Sequence, residues 1–304
     1  MRFLADYVMR GRMQAILVTA VTALLSLLLP LLAYLSGAVV GLVTLRIGPK
    51  QGLGVIAGAM LALAALCGVI LGNPLPGIGF ALVLWVPVWI LAANLRRSVD
   101  LAQSVKLAGL FGAMLVIGIY LATDNPVTWW KESLQTALSP ALEGAAKERI
   151  DEMTTAVAQI AKLMTGLMGG LMGLTLLGCL FIARWWQALL YNPGGFRSEF
   201  YQLRLGRRFA GATLVAGVLL LISSSTSMPI AIDLLMVMVM LYMIQGLAVS
   251  HGMVAKAGAN ARWLVVLYLL LVFALPQTAL TLAVAGFTDN WFDFRTIFGE
   301  KPKQ

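Results

Sequence analysis

One carboxylate, Asp233, stands in an apolar run a few residues after Pro229. A charge inside hydrocarbon is costly and by default points to a ligand or an ion pathway, whereas at the outer start of a helix the same side chain caps or hydrates the helix end. The chain's one histidine, His251, sits beside a predicted helix end with no second His or Cys at ligand spacing, which argues against a metal site. Cys67 and Cys179 fall within apolar runs and read as neither disulfide nor ligand. Arg46-Ile47-Gly48-Pro49-Lys50-Gln51-Gly52 lacks the second half of a nucleotide phosphate loop, and the GxSxG and HExxH patterns do not occur. The sequence therefore predicts no catalytic residue, no cofactor, no metal and no enzyme activity.

Charge is concentrated instead in Ile182–Arg208, where Arg184, Arg197, Arg204, Arg207 and Arg208 face one acid, Glu199. Trp185, Trp186, Tyr191, Phe196, Phe200 and Tyr201 are interleaved with them, and Asn192-Pro193-Gly194-Gly195 is a turn sequence. Three readings stay open for this segment. It is an anchor on anionic lipid headgroups, a docking surface opened at the turn with Phe196, Phe200 and Leu203 on one face, or a catalytic loop that lacks a base beside a nucleophile. The docking reading names Trp186, Asn192, Gly194, Gly195, Phe196, Glu199, Phe200 and Arg204 as candidate contacts. Elsewhere, Trp85 and Trp89 share a helix face, as packing or as a stacking platform for a ligand. Asn73 and Asp233 complete a candidate outer ligand site. Ala15, Thr19 and Ala23 form a small-residue stripe that marks a close helix crossing, within the chain or with a partner. Asn94, Gln245 and Ser250 lie at inner span ends, where hydrogen bonds between helices are the ordinary reading.

The elements that must carry these residues are membrane helices. Of 304 residues 60% are hydrophobic and 12% charged, about half the charge of a soluble domain. The apolar runs predict an all-α polytopic bundle of about nine spans: Met13–Leu29, Leu31–Leu45, Gln51–Leu71, Ile78–Ala93, Ser104–Ala122, Leu163–Ala183, Phe209–Ser223, Met228–Ser250 and Trp263–Phe287. Pro30 separates the first two as a hairpin. Val127–Lys162 is polar with helical spacing and reads as an extracytoplasmic amphipathic segment, with 184–208 as a basic cytoplasmic loop and the whole chain as one domain. The first apolar run has no cleavage site after it and reads as a retained start-transfer helix.

Alternating nine spans from a cytoplasmic amino terminus places most of the 22 Lys and Arg in cytoplasmic segments, leaves Val127–Lys162 acidic and outside, and sends the tail Thr288–Gln304 outside as well. This explains the net charge of +9 without nucleic acid, and the lipid bilayer is the first partner it implies.

Trp185-Trp186-Gln187, Asn192-Pro193-Gly194-Gly195-Phe196, Glu199-Phe200 and Leu203-Arg204 resemble proteobacterial members of the membrane family DUF2232. Gln245-Gly246-Leu247-Ala248, His251-Gly252 and Asn290-Trp291-Phe292-Asp293-Phe294-Arg295 are similar to that family too. The resemblance implies a multispanning fold in a bacterial inner membrane and implies no activity. Met13–Leu71 looks like the amino-terminal half of the substrate-binding subunits of energy-coupling-factor vitamin transporters. That likeness implies transport of a small-molecule ligand bound between outer helix ends, with Ala15, Thr19 and Ala23 docked on a coupling membrane protein driven by ATPases. A non-transporting scaffold that recruits partners through the basic aromatic segment is the alternative.

Overall fold

The computed structural model describes residues 1–142, 147–222 and 229–297; Ser224-Ser225-Thr226-Ser227, between the seventh and eighth expected spans, and the last part of the tail lie outside them. The described residues are helical throughout, and the helices are α1 (Arg2–Met9), α2 (Arg12–Leu25), α3 (Leu32–Arg46), α4 (Pro49–Leu71), α5 (Leu75–Phe80), α6 (Val86–Ser98), α7 (Leu101–Ala122), α8 (Pro126–Leu142), α9 (Lys147–Tyr191), α10 (Gly195–Tyr201), α11 (Arg207–Ile222), α12 (Pro229–Lys256), α13 (Arg262–Phe273), α14 (Leu275–Phe292) and α15 (Phe294–Ile297). A π-helical turn, Ala81–Trp85, joins α5 to α6 in one run. Five helices among the described residues are long and apolar enough to cross a membrane, and three shorter apolar helices accompany them. The polytopic helical bundle expected from composition is what forms.

α9 is the axis, packed against α3, α7, α8 and α12. Its 45 residues extend about 67 Å, roughly twice the hydrocarbon thickness. Its second half supplies small residues to its neighbours. A Cβ on Gly169 would meet the backbone of Gly112 in α7, one on Gly178 the ring of Tyr34 in α3, and one on Gly166 the side chain of Asp233 in α12. The first half stands beyond the bundle and pairs with α8, where Trp130 Nε1 donates to Thr165 Oγ1 at 3.0 Å. α8 thus packs along α9, and Lys147–Lys162 of the polar stretch belongs to α9 itself.

The chain departs from the span list in two places. Nothing breaks the sixth span until Asn192-Pro193-Gly194, so Arg184–Tyr191 is the last part of α9 and not a loop. The ninth stretch is two helices, because Pro276 lacks an amide hydrogen and the chain turns at Ala274. Thr278 Oγ1 there donates back to the Leu270 carbonyl at 3.1 Å.

The split has a topological consequence. α14 runs parallel to α12 and packs closely on it: Gly286 lies against the Tyr242 carbonyl and Gly246 against that of Leu282, too near for a Cβ at either glycine. Both helices therefore end on the same side. The start of the tail stands beside the segment between α9 and α11, opposite to the expected placement. At that end Arg96 bonds the Leu45 carbonyl, Arg12 bonds that of Gly54, Arg46 covers the Tyr191 ring and Lys106 the Phe209 ring. We refer to it as the basic end.

Candidate functional site at the basic end

The candidate outer ligand residues do not meet. Asn73 is exposed at the α4–α5 turn and its Oδ1 accepts the Leu75 N–H at 2.9 Å. Trp85 is fully buried and donates to Ser36 Oγ at 2.8 Å; Trp89 donates to the Pro49 carbonyl at 2.9 Å. Each indole nitrogen is spent on packing helices together. Asp233 is buried among α7, α9 and α12, accepting Tyr120 Oη–H at 2.8 Å and the Gly166 N–H at 2.9 Å. A carboxylate so engaged is a clasp between three helices, not an open ligand.

The small-residue stripe is likewise internal. Ala15, Thr19 and Ala23 are buried as α2 packs on α3 and α4, and the Thr19 carbonyl accepts Ser36 Oγ–H at 2.9 Å. These side chains have no surface left for a partner, which corrects the docking role that the transporter likeness implied for them.

The basic segment is more ordered than a loop. Asn192, Pro193 and Gly194 are exposed, Gly194 has φ +86° before α10, and Gly195 lies against the Asn192 amide. α10 turns Phe196 and Phe200 inward onto Phe181, with ring centroids 5.6 Å apart in both pairs. Arg184 of α9 makes a two-point ion pair with Glu199, its Nε 2.9 Å from Oε2. Trp186 is fully buried and, like Ala15, Thr19 and Ala23, is removed from the surface. His251 packs among Phe200, Tyr201 and Tyr268, with Nε2 2.9 Å from the Tyr268 hydroxyl.

Arg204 leads to a centre that the sequence reading did not mark. Its Nε lies 3.4 Å from Asp289 Oδ2, and its terminal nitrogen bonds Asp293. Asp289 is wholly buried and also receives the Gln245 amide at 3.3 Å, the Phe294 N–H at 3.2 Å and Arg295 at 3.4 Å. Around it Gln245 Oε1 accepts the Leu205 N–H at 3.0 Å, Asn290 Oδ1 accepts the Gly206 N–H at 2.8 Å, and Arg295 donates to the Leu203 carbonyl at 2.6 Å. A buried carboxylate shared by two guanidinium groups and two neutral donors is compensated as such a charge must be. The Arg204 hydrogen bond holds the Asp293 carboxyl below the usual carboxylate range.

Sequence spacing could not have found this centre, since Arg204, Gln245 and Asp289 lie on three separate segments. The signal present was an acid–amide pair, Asp289-Asn290, beside what looked like a solvated tail.

A cavity of about 640 Å³ opens beside the centre, lined by residues of α10, by Gly252, Ala255 and Lys256 of α12, and by Arg204, Asp293, Arg295 and Thr296. The arrangement can hold an anion or a partner's acidic group, and the ion pairs set its shape.

No curated protein and no solved structure matches the chain. The residues that converge here, Leu203-Arg204, Gln245-Gly246 and Asn290, are among those whose pattern resembles the family named from the sequence. That family's profile, described as "Predicted membrane protein (DUF2232)", matches residues 17–290, and the chain belongs to the DUF2232 family.

Proposed function

We propose that this protein is a docking subunit of a bacterial inner membrane that acts from its basic end, in the cytoplasm, without chemistry of its own. One observation carries the reading. The Asp289 ion pairs with Arg204 and Arg295 and the hydrogen bonds of Gln245 tie three distant segments into an ordered platform, while Arg197 and Arg208 remain exposed on it. Internal pairs fix the platform, Arg197 is steadied by its Nε–H bond to Tyr201 Oη, and the exposed Arg197 and Arg208 charges are left for an acidic partner surface.

The second reading, a substrate-binding or permease subunit similar to those of energy-coupling-factor transporters, rests on Met13–Leu71. The burial of Ala15, Thr19 and Ala23 and the separation of Asn73 from Asp233 weigh against it.

The test is a mild-detergent pulldown of the tagged full-length protein, identifying both proteins and small molecules. A recurrent partner that is lost in Arg197→Glu/Arg208→Glu and kept in Lys131→Glu, on α8, supports docking. A co-purifying ATPase with a recurrent metabolite, indifferent to those charge reversals, supports the transport reading. Arg204 is unsuitable for this test, because its loss would dismantle the platform itself.

A further inference from the structure

The cavity at the basic end has the composition of an anion site. Three cations line it, Arg204, Lys256 and Arg295, against the single acid Asp293. Ser198, Tyr201 and Thr296 share the lining; Ser198 and Thr296 donate their hydroxyls to the Gly195 and Asp293 carbonyls, whereas the Tyr201 hydroxyl accepts Arg197 Nε–H and keeps its own proton to donate. Arg295 is only 8% exposed, and its Nε is a buried donor with no hydrogen-bond partner. A cationic N–H left unpaired in a buried position is an expensive feature that an oxyanion would relieve. Gly252 admits the Tyr201 carbonyl, which a Cβ there would crowd at 3.1 Å, and the same Cβ would be in ordinary contact with Arg295 Cδ at 3.5 Å.

We infer that this cavity binds a phosphoester, its phosphate held by Arg295, Lys256 and the Tyr201 hydroxyl. Several oxygens on one atom match several convergent donors better than a planar carboxylate does. The cavity is within the range of small-molecule sites and far larger than a bare phosphate, so the ligand carries an organic body. Asp293 is the acceptor available to a hydroxyl or amine on that body. The phosphoester is either water-soluble or the headgroup of a phospholipid. The inference deepens the docking proposal, since it takes the basic end as the working end. Its test involves no protein partner, so either can fail alone.

The experiment is thermal unfolding of the full-length protein in neutral detergent, titrated with glycerol 3-phosphate and, separately, with phosphatidylglycerol in mixed micelles. Stabilisation by glycerol 3-phosphate assigns a soluble ligand. Stabilisation by phosphatidylglycerol alone assigns a lipid headgroup. In either case Lys256→Ala, which removes an exposed lining residue, should raise the half-maximal concentration about tenfold, and Arg295→Lys should raise it while keeping the charge. Lys131→Ala, far from the cavity, should leave it unchanged. Absence of stabilisation by both probes, or equal loss in Lys256→Ala and Lys131→Ala, overturns the inference.

Discussion

Arg204 Nε and Asp289 Oδ2 lie 3.4 Å apart, the guanidinium partly open to solvent and the carboxylate wholly enclosed. This pair joins the segment after α10 to the end of α14, and the same carboxylate holds Arg295. The local order of the basic end depends on it. Asp289→Ala would leave Arg295 buried without its counter-charge, at a cost of about 3 kcal/mol. Asp289→Asn keeps one carbonyl oxygen, enough for either the Gln245 amide or the Phe294 N–H, and should cost less than Asp289→Ala. Thermal unfolding of the two variants in the same detergent checks the order.

Acid should release the tail before it unfolds the bundle. Hydrogen bonding to Arg204 depresses the Asp293 carboxyl below its ordinary value of about 3.9. A group depressed in the folded state stabilises above its unfolded pKa, and that contribution disappears as pH falls through the lower, folded value. The contact between the tail and the basic segment should therefore hold at neutral pH and weaken below about pH 4. Amide exchange of Phe294–Ile297 compared at pH 7 and pH 3.5, after correction for the intrinsic rates, reads it. Asp293→Asn should show raised exchange at both.

The position of α14 makes a topological prediction. Because α12 and α14 end together at the basic end, a green fluorescent protein fused after Gln304 and one inserted at Pro193 should report the same compartment. With that end in the cytoplasm both fluoresce. Fluorescence at Pro193 and none at the tail would restore nine alternating spans.

Ser36 is a junction between three helical segments, accepting from Trp85 Nε1 and donating to the Thr19 carbonyl. Ser36→Ala strands the buried Trp85 indole N–H, while the Thr19 carbonyl keeps the Thr22 hydroxyl, and should destabilise by about 1–3 kcal/mol. Partner capture by the folded fraction should stay unchanged, since the stripe at Ala15, Thr19 and Ala23 packs inside the chain. Loss of capture at full stability would instead return the stripe to a docking role.

The membrane class, most of the spans and the basic character of one end follow from the sequence alone. They depend on local quantities: the length of apolar runs, the hairpin break at Pro30, and Arg and Lys gathered in short connections. Ile182–Arg208 was legible as a distinct segment for the same reason. The continuation of α9 through Trp186 was not, because charge and aromatic content mark a membrane boundary without stopping a helix. Pro276 is visible in the chain, but whether a proline kinks a long span or reverses it depends on what packs beside it. Here Gly246 and Gly286 let α14 settle along α12. That packing carried the tail to the basic end and made Asp289 the buried partner of Arg204 and Arg295. It also left Asn73 and Asp233 in unrelated surroundings. Contacts between residues so far apart in the chain have no spacing signature, so the tertiary structure alone decided where the charges meet.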